Sequence, residues 1–143
     1  MRNSIPHLMS IPCKLYCFET CTLEHLGNPL TLVAFILLVA AYVPRNHFKA
    51  KLKHPMTLSV KVWALGHLLA HGSLAGIIVF ASFLIWAVIV FKINRQRDRA
   101  NNATPATPAL SATLITLVVG VLAWAGFAFW GHLALIGVSP FAR

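Results

Sequence analysis

Four apolar stretches, separated by short polar or basic segments, dominate the hydrophobic pattern of the chain. They cover residues 30–43, 58–70, 76–91 and 113–138. A helix that crosses a bilayer needs about 20 mostly apolar residues. The third and fourth stretches approach or reach that length, whereas the first two need flanking residues to complete a crossing. The pattern predicts an all-α fold, a polytopic transmembrane helical bundle of about four spans.

The second stretch is the weakest of the four, because it holds Ser59, Lys61 and His67 among its apolar residues. A buried or partly re-entrant helix is the alternative to a full crossing here. Lys61 lies about two turns inside the basic end of this stretch. Its long side chain either reaches the lipid headgroups or faces an anionic group of a ligand.

Helix-breaking residues lie between the stretches. Pro29 is expected to open the first helix and Pro55 the second, because proline is tolerated in a first helical turn. Gly72, between the second and third stretches, predicts a tight helical hairpin with almost no loop. Residues 101–108 form a polar, proline-containing linker before the fourth stretch.

The composition supports lipid as the main solvent of the chain. Charged residues make up only 10% of it, the hydrophobic fraction is 58%, and the mean hydropathy is +0.75. A soluble domain carries about 25% charged residues. The net charge of +9 does not indicate nucleic-acid binding, because the cations lie between apolar stretches instead of across a soluble surface. We therefore expect membrane lipid, and no nucleic acid, as a partner.

The basic residues predict the topology. Residues 44–54 and residues 92–99 each contain four Lys or Arg side chains. The hairpin between the second and third stretches places both segments on one side, which the positive-inside rule assigns to the cytoplasm. Four crossings then put both termini on the periplasmic side. Three crossings would separate the two basic segments.

Residues 1–22 read as a divergent N-terminal segment, either disordered or an interfacial arm, ahead of a transmembrane domain over residues 23–143. Cys13, Cys17 and Cys21 are spaced four apart, which would align them on one helix face. Three thiols at this spacing match neither a structural zinc site nor an iron–sulfur site. We expect no metal centre there.

Histidines are the main candidates for chemistry. Four spans bring His67 and His132 to similar depth near the outer end of the bundle, with His71 one turn after His67. Two imidazoles at matched depth on different helices could hold a haem iron. The alternative is that they are interfacial histidines. No Asp or Glu lies in any apolar stretch, which disfavours hydrolysis and proton pumping by a carboxylate.

Several motifs together resemble the signature of NnrU family membrane proteins. They cover residues 43–56 (VPRNHFKAKLKHPM), 61–70 (KVWALGHLLA), 80–87 (FASFLIWA) and 129–138 (FWGHLALIGV). The resemblance implies a bacterial inner-membrane protein with an accessory role in nitric oxide and nitrite metabolism during denitrification, acting through membrane protein partners. Family members commonly begin with further membrane helices, so this chain is expected to be the C-terminal majority of a larger fold.

The chain is also similar to plant 15-cis-zeta-carotene isomerase, a haem b membrane enzyme with histidine ligands. That similarity implies a haem b-dependent isomerase or redox enzyme as the alternative function, and a small-molecule transporter is the third. By motif match, His67 and His132 are the candidate haem ligands, and His54 is a family-like histidine without an assigned role. His71 stands where the family usually has asparagine, so no role is carried to it.

Overall fold

The computed structural model describes residues 12–70, 73–102 and 106–137, without the side chains of residues 12–26. All of the elements in these ranges are helical, as the sequence predicts. The helices are α1 (Pro12–Tyr42), α2 (His47–Leu52), α3 (Pro55–Ala70), α4 (Leu74–Ala100), α5 (Leu110–Gly126) and α6 (His132–Ile136), with a π-helical segment, Phe127–Gly131, joining the last two.

The first helix corrects one prediction. Pro29 does not open it: α1 begins at Pro12 and runs through Pro29 to Tyr42. Proline removes one backbone hydrogen bond from a helix interior. Here the turn before Pro29 packs against α3, and this packing stabilises the helix despite the missing bond. A Cβ placed on Gly27 would lie only 3.4 Å from the Cβ of Ala70 on α3. The backbone of residues 12–22, expected as a disordered segment or an arm, therefore continues α1.

The four long helices form a row in the order α5, α1, α3, α4. Each of the two inner helices packs on both of its neighbours, and α4 and α5 make no contact with each other within the described residues. The predicted hairpin is present, since α3 ends at Ala70 and α4 begins at Leu74. Ser73 caps α4, where its hydroxyl accepts a hydrogen bond from the Gly76 amide at 3.2 Å.

Small residues bring α1 and α3 close together. A Cβ built on Gly66 would meet the Cβ of Leu30 at 3.1 Å. Further along the same interface, the buried Ser59 hydroxyl donates to the carbonyl oxygen of Ala34 at 2.7 Å. Small side chains allow such close backbone approach between apolar helices, and the hydroxyl adds a bond between them.

The α1–α5 interface has the same character. A Cβ on Gly120 would lie 2.9 Å from the Cα of Ile36. The indole Nε1 of Trp124 donates to the Thr31 hydroxyl at 3.1 Å. These contacts hold α5 against the side of α1 that α3 leaves open.

Among the described residues, two helices are long and apolar enough to cross a membrane, by length and composition. They are Leu74–Ala100 and the continuous run Leu110–Ile136. The apolar part of α1, Gly27–Tyr42, is shorter. Helix α3 has 16 residues, about 24 Å at 1.5 Å per residue, against a hydrocarbon core of about 30 Å. Two of the four expected spans are therefore supported, and the other two stay a prediction.

Candidate functional site

His54 is the last residue of the junction between α2 and α3, and it contacts the far end of α4. Its Nε2 lies 2.9 Å from Oδ2 of Asp98, with side chains 23% and 20% exposed. The carbonyl of His54 also accepts a hydrogen bond from the Thr57 hydroxyl at 3.1 Å. The family motif gives His54 no role, and Asp98 lies outside every motif and apolar stretch. Asp98 is the only acidic residue after position 24, which is the signal that marks it.

Phe91 of α4 lies at the centre of a cluster of cations at this end of the layer. The Nζ of Lys61 lies 3.7 Å above the centre of the Phe91 ring. The guanidinium carbon of Arg95 lies 5.7 Å from the same ring centre, and the ring of His54 meets it edge-on at 6.3 Å. Lys61 therefore lies against an aromatic face, where a cation is attracted by the ring quadrupole.

Asn46 joins α1 to α2 and is completely buried. Its Nδ2 donates to the carbonyl oxygens of Ala40 at 2.8 Å and Val43 at 2.6 Å. Its Oδ1 accepts from the amide of Lys49 at 2.7 Å, which is the N-cap bond of α2. One side chain thus satisfies the end of one helix and the start of the next. The hydrophobic pattern contains no signal that marks Asn46.

The same connection is attached to the start of α5. The Thr113 hydroxyl accepts a hydrogen bond from the amide of His47 at 3.0 Å and lies 2.8 Å from its Nδ1. The Ala109 amide donates to the Arg45 carbonyl at 2.7 Å. Together with the contact between His54 and Asp98, these bonds place both basic segments at one end of the helical layer, as the hairpin predicted.

His67 lies toward the opposite end of α3, in an aromatic cluster shared with α4. Its ring centre is 4.9 Å from that of Trp63 and 4.8 Å from that of Phe80. Trp63 also meets Phe83 at 5.7 Å. The Nδ1 of His67 lies 3.0 Å from the carbonyl oxygen of Trp63. A carbonyl oxygen can only accept, so Nδ1 carries the proton in this contact.

His132 follows the π-helical segment and contacts a different set of rings. Its ring meets Phe127 edge-on at 5.9 Å, and Phe127 packs at 5.5 Å on Phe35 of α1. His67 instead packs between α3 and α4. Because α3 and α5 each pack on α1 and make no contact with each other in the described part of the chain, these rings belong to separate interfaces. Haem ligation by His67 and His132 stays a prediction.

Other candidates lie outside what the structure describes. His71 and the side chains of Cys13, Cys17 and Cys21 are not among the described residues. Within the described ranges, no three His, Cys, Asp or Glu side chains come together in a group that could hold a metal ion.

A family model for the NnrU protein matches residues 8–140 of the chain. The chain belongs to the NnrU family. No curated protein and no solved structure matches it. The NnrU match begins inside the 1–22 segment and runs through all four apolar stretches. It confirms the family that the motifs indicated.

The NnrU-like motifs have defined places in the fold. The motif over residues 43–56 contains Asn46, which closes the connection between α1 and α2, and His54, which joins the start of α3 to α4. The motif over residues 61–70 contributes the ring of His67 and the close helix contact at Gly66. The motif residues of this NnrU chain therefore join neighbouring helices at both ends of the layer.

Proposed function

We propose that this NnrU family chain is an integral protein of the bacterial inner membrane that crosses the bilayer four times. The observation that supports the proposal is the distribution of its side chains. Among the described residues, the largest completely buried side chains are polar, Asn46 and Thr116. Large apolar side chains point outward instead, with Leu74 74% and Trp130 75% exposed. Such a surface is suited to lipid and not to water.

The orientation follows from the basic end of the layer. The segments 44–54 and 92–99 lie together there, and the positive-inside rule assigns that end to the cytoplasm. Both termini then face the periplasm. A periplasmically active reporter, such as alkaline phosphatase, fused after Arg143 should be active. Activity of a reporter that works only in the cytoplasm at that position would contradict the topology.

Within the membrane, the proposed role is that of an accessory factor in nitric oxide and nitrite metabolism, acting through membrane protein partners. The NnrU family match supports this role. The test is deletion of the gene in a denitrifying host that carries it. We expect nitrite-dependent anaerobic growth to slow and nitric oxide turnover to change, with recovery on complementation. Unchanged growth and turnover would contradict the role.

A second candidate is a haem b-dependent isomerase or redox enzyme, and His67 favours it. Metal-ligating histidines usually donate their other ring N–H to a carbonyl or carboxylate, and Nδ1 of His67 contacts the Trp63 carbonyl in that way. The apolar rings of Trp63 and Phe80 suit a flat cofactor, so the residues fit haem in their chemistry. Bound haem would supply one-electron redox chemistry.

The absorption spectrum of the detergent-purified protein tests this second candidate. A Soret band should appear after haem-supplemented expression and should disappear in the double variant His67→Ala, His132→Ala. No chromophore in the wild-type protein would contradict haem binding and leave the accessory role as the function.

The third candidate, a small-molecule transporter, has the least support. It requires polar groups that line a path, but the Ser and Thr hydroxyls of the four apolar stretches bond to backbone carbonyls. Thr116 donates to Ala112, and Ser82 donates to Ile78. These hydroxyls are already satisfied within their own helices.

A further inference from the structure

The basic end of α4 carries a groove on the outer surface of the layer. We call it the Phe91 groove, and its lining residues are Phe91, Lys92, Arg95, Gln96 and Arg99. These positions recur every three or four residues, so they share one face of the helix. The groove lies next to Lys61 of α3, whose Nζ reaches the Phe91 ring at 3.7 Å.

The cations of the groove have no anionic partner in the described part of the chain. The only acidic residue nearby in sequence is Asp98, and it contacts His54 instead. No carboxylate of the described residues lies within 4 Å of Lys92, Arg95 or Arg99. Like charges so close to each other repel unless an anion from outside the chain compensates them.

An apolar track continues from the groove along the same face of α4. Ile85 and Ile89 lie two turns and one turn before Lys92 on this face, and they are 61% and 52% exposed. A charged end joined to an exposed aliphatic track has the form of a phospholipid, with its phosphate beside the cations and an acyl chain along the isoleucines. Free phosphate would contact the cations alone.

We propose that the Phe91 groove is a binding site for an anionic phospholipid of the membrane leaflet on the basic side. Arg95 and Arg99 bind the headgroup phosphate, for which guanidinium groups have matching geometry. Lys92 and Lys61 add positive charge, and Ile85 and Ile89 contact the acyl chain. This inference rests on the membrane location proposed above.

Native mass spectrometry of the detergent-solubilised full chain tests the site, with phosphatidylglycerol and phosphatidylcholine as matched probes. We expect preferential retention of phosphatidylglycerol by the wild-type protein. Arg95→Gln and Arg99→Gln should each weaken it about fivefold, which corresponds to about 1 kcal/mol for one basic side chain at an anionic surface. The matched control is Arg97→Gln, which removes the same charge from the same helix end but does not line the groove.

Three results would overturn the proposal. They are equal retention of the two lipids by the wild-type protein, an equal loss in Arg97→Gln, and displacement of the lipid by millimolar inorganic phosphate, which would identify a site for free phosphate. The comparison of the two lipids on the wild-type protein decides the matter even if a variant fails to fold. Carbonate extraction of membranes separates the two proposals, because release of the chain would refute its membrane location and not merely this site.

Discussion

Nε2 of His54 and Oδ2 of Asp98 lie 2.9 Å apart, and this contact joins the start of α3 to the end of α4. The two residues are separated by 44 positions in sequence. Both helices run the full distance from the hairpin at Ser73 to this end of the layer. The contact therefore closes the α3–α4 pair at the end opposite its connecting turn.

A double-mutant cycle measures the strength of this closure. We expect His54→Ala and Asp98→Ala to be coupled by about 0.5–1 kcal/mol, because a partly exposed pair keeps some contact with water. The measurement is the free energy of unfolding in mixed detergent micelles. Lys51→Ala replaces His54→Ala in the control cycle and should show no coupling to Asp98→Ala. Full additivity in the first cycle would mean that the pair contributes nothing to stability.

Gly120 is predicted to tolerate no side chain. A Cβ at this position would lie 2.9 Å from the Cα of Ile36, so Gly120→Ala should separate α5 from α1 and lower the unfolding free energy by about 1–3 kcal/mol. Gly126 is the matched control, since a Cβ there would meet nothing within 4 Å. Gly126→Ala should raise stability by up to about 1 kcal/mol, because alanine is the better helix former. Equal effects of the two variants would contradict this packing.

Asn46 offers a test of one side chain with two functions. Asn46→Ala removes the cap of α2 and leaves the carbonyls of Ala40 and Val43 without their donor. We expect a loss of about 2–4 kcal/mol, the sum of a lost cap and unsatisfied buried acceptors. Asn46→Asp keeps the acceptor for the Lys49 amide but brings a second oxygen against those carbonyls. If Asn46→Asp were as stable as the wild-type protein, the bonds to Ala40 and Val43 would not matter.

His67 can be tested for packing and for ligation separately. His67→Ala removes a ring that contacts Trp63 and Phe80, and such contacts contribute about 0.5–1.5 kcal/mol each. His67→Phe keeps a ring but removes both nitrogens. If His67 is a haem ligand, His67→Phe should retain most of the stability while losing the Soret band. A Soret band that persists in His67→Phe would exclude His67 as a ligand.

Much of the helical organisation could be predicted from the chain alone. The start of α3 at Pro55 and the break between α3 and α4 depend on local backbone preferences, and both are found where the sequence places them. Pro29 by itself predicts the wrong start for α1, because its preference for a first helical turn is a local property and α1 begins at Pro12. Packing of Gly27 on α3 supports the helix on the far side of that proline, and no local pattern reveals such support.

The apolar stretches and the position of the basic residues, taken by themselves, determined the all-helical class, the hairpin and the common end of the two basic segments. These three features can be predicted because each depends on whether residues close together in sequence prefer lipid or water. Only the tertiary structure decided which helices are neighbours. The partner of His54 on α4, the placing of α1 between α3 and α5, and the separate ring clusters of His67 and His132 all depend on contacts between residues distant in sequence. Such contacts depend on how well the surfaces of two whole helices fit each other. The hydrophobic pattern of a single segment does not show that fit.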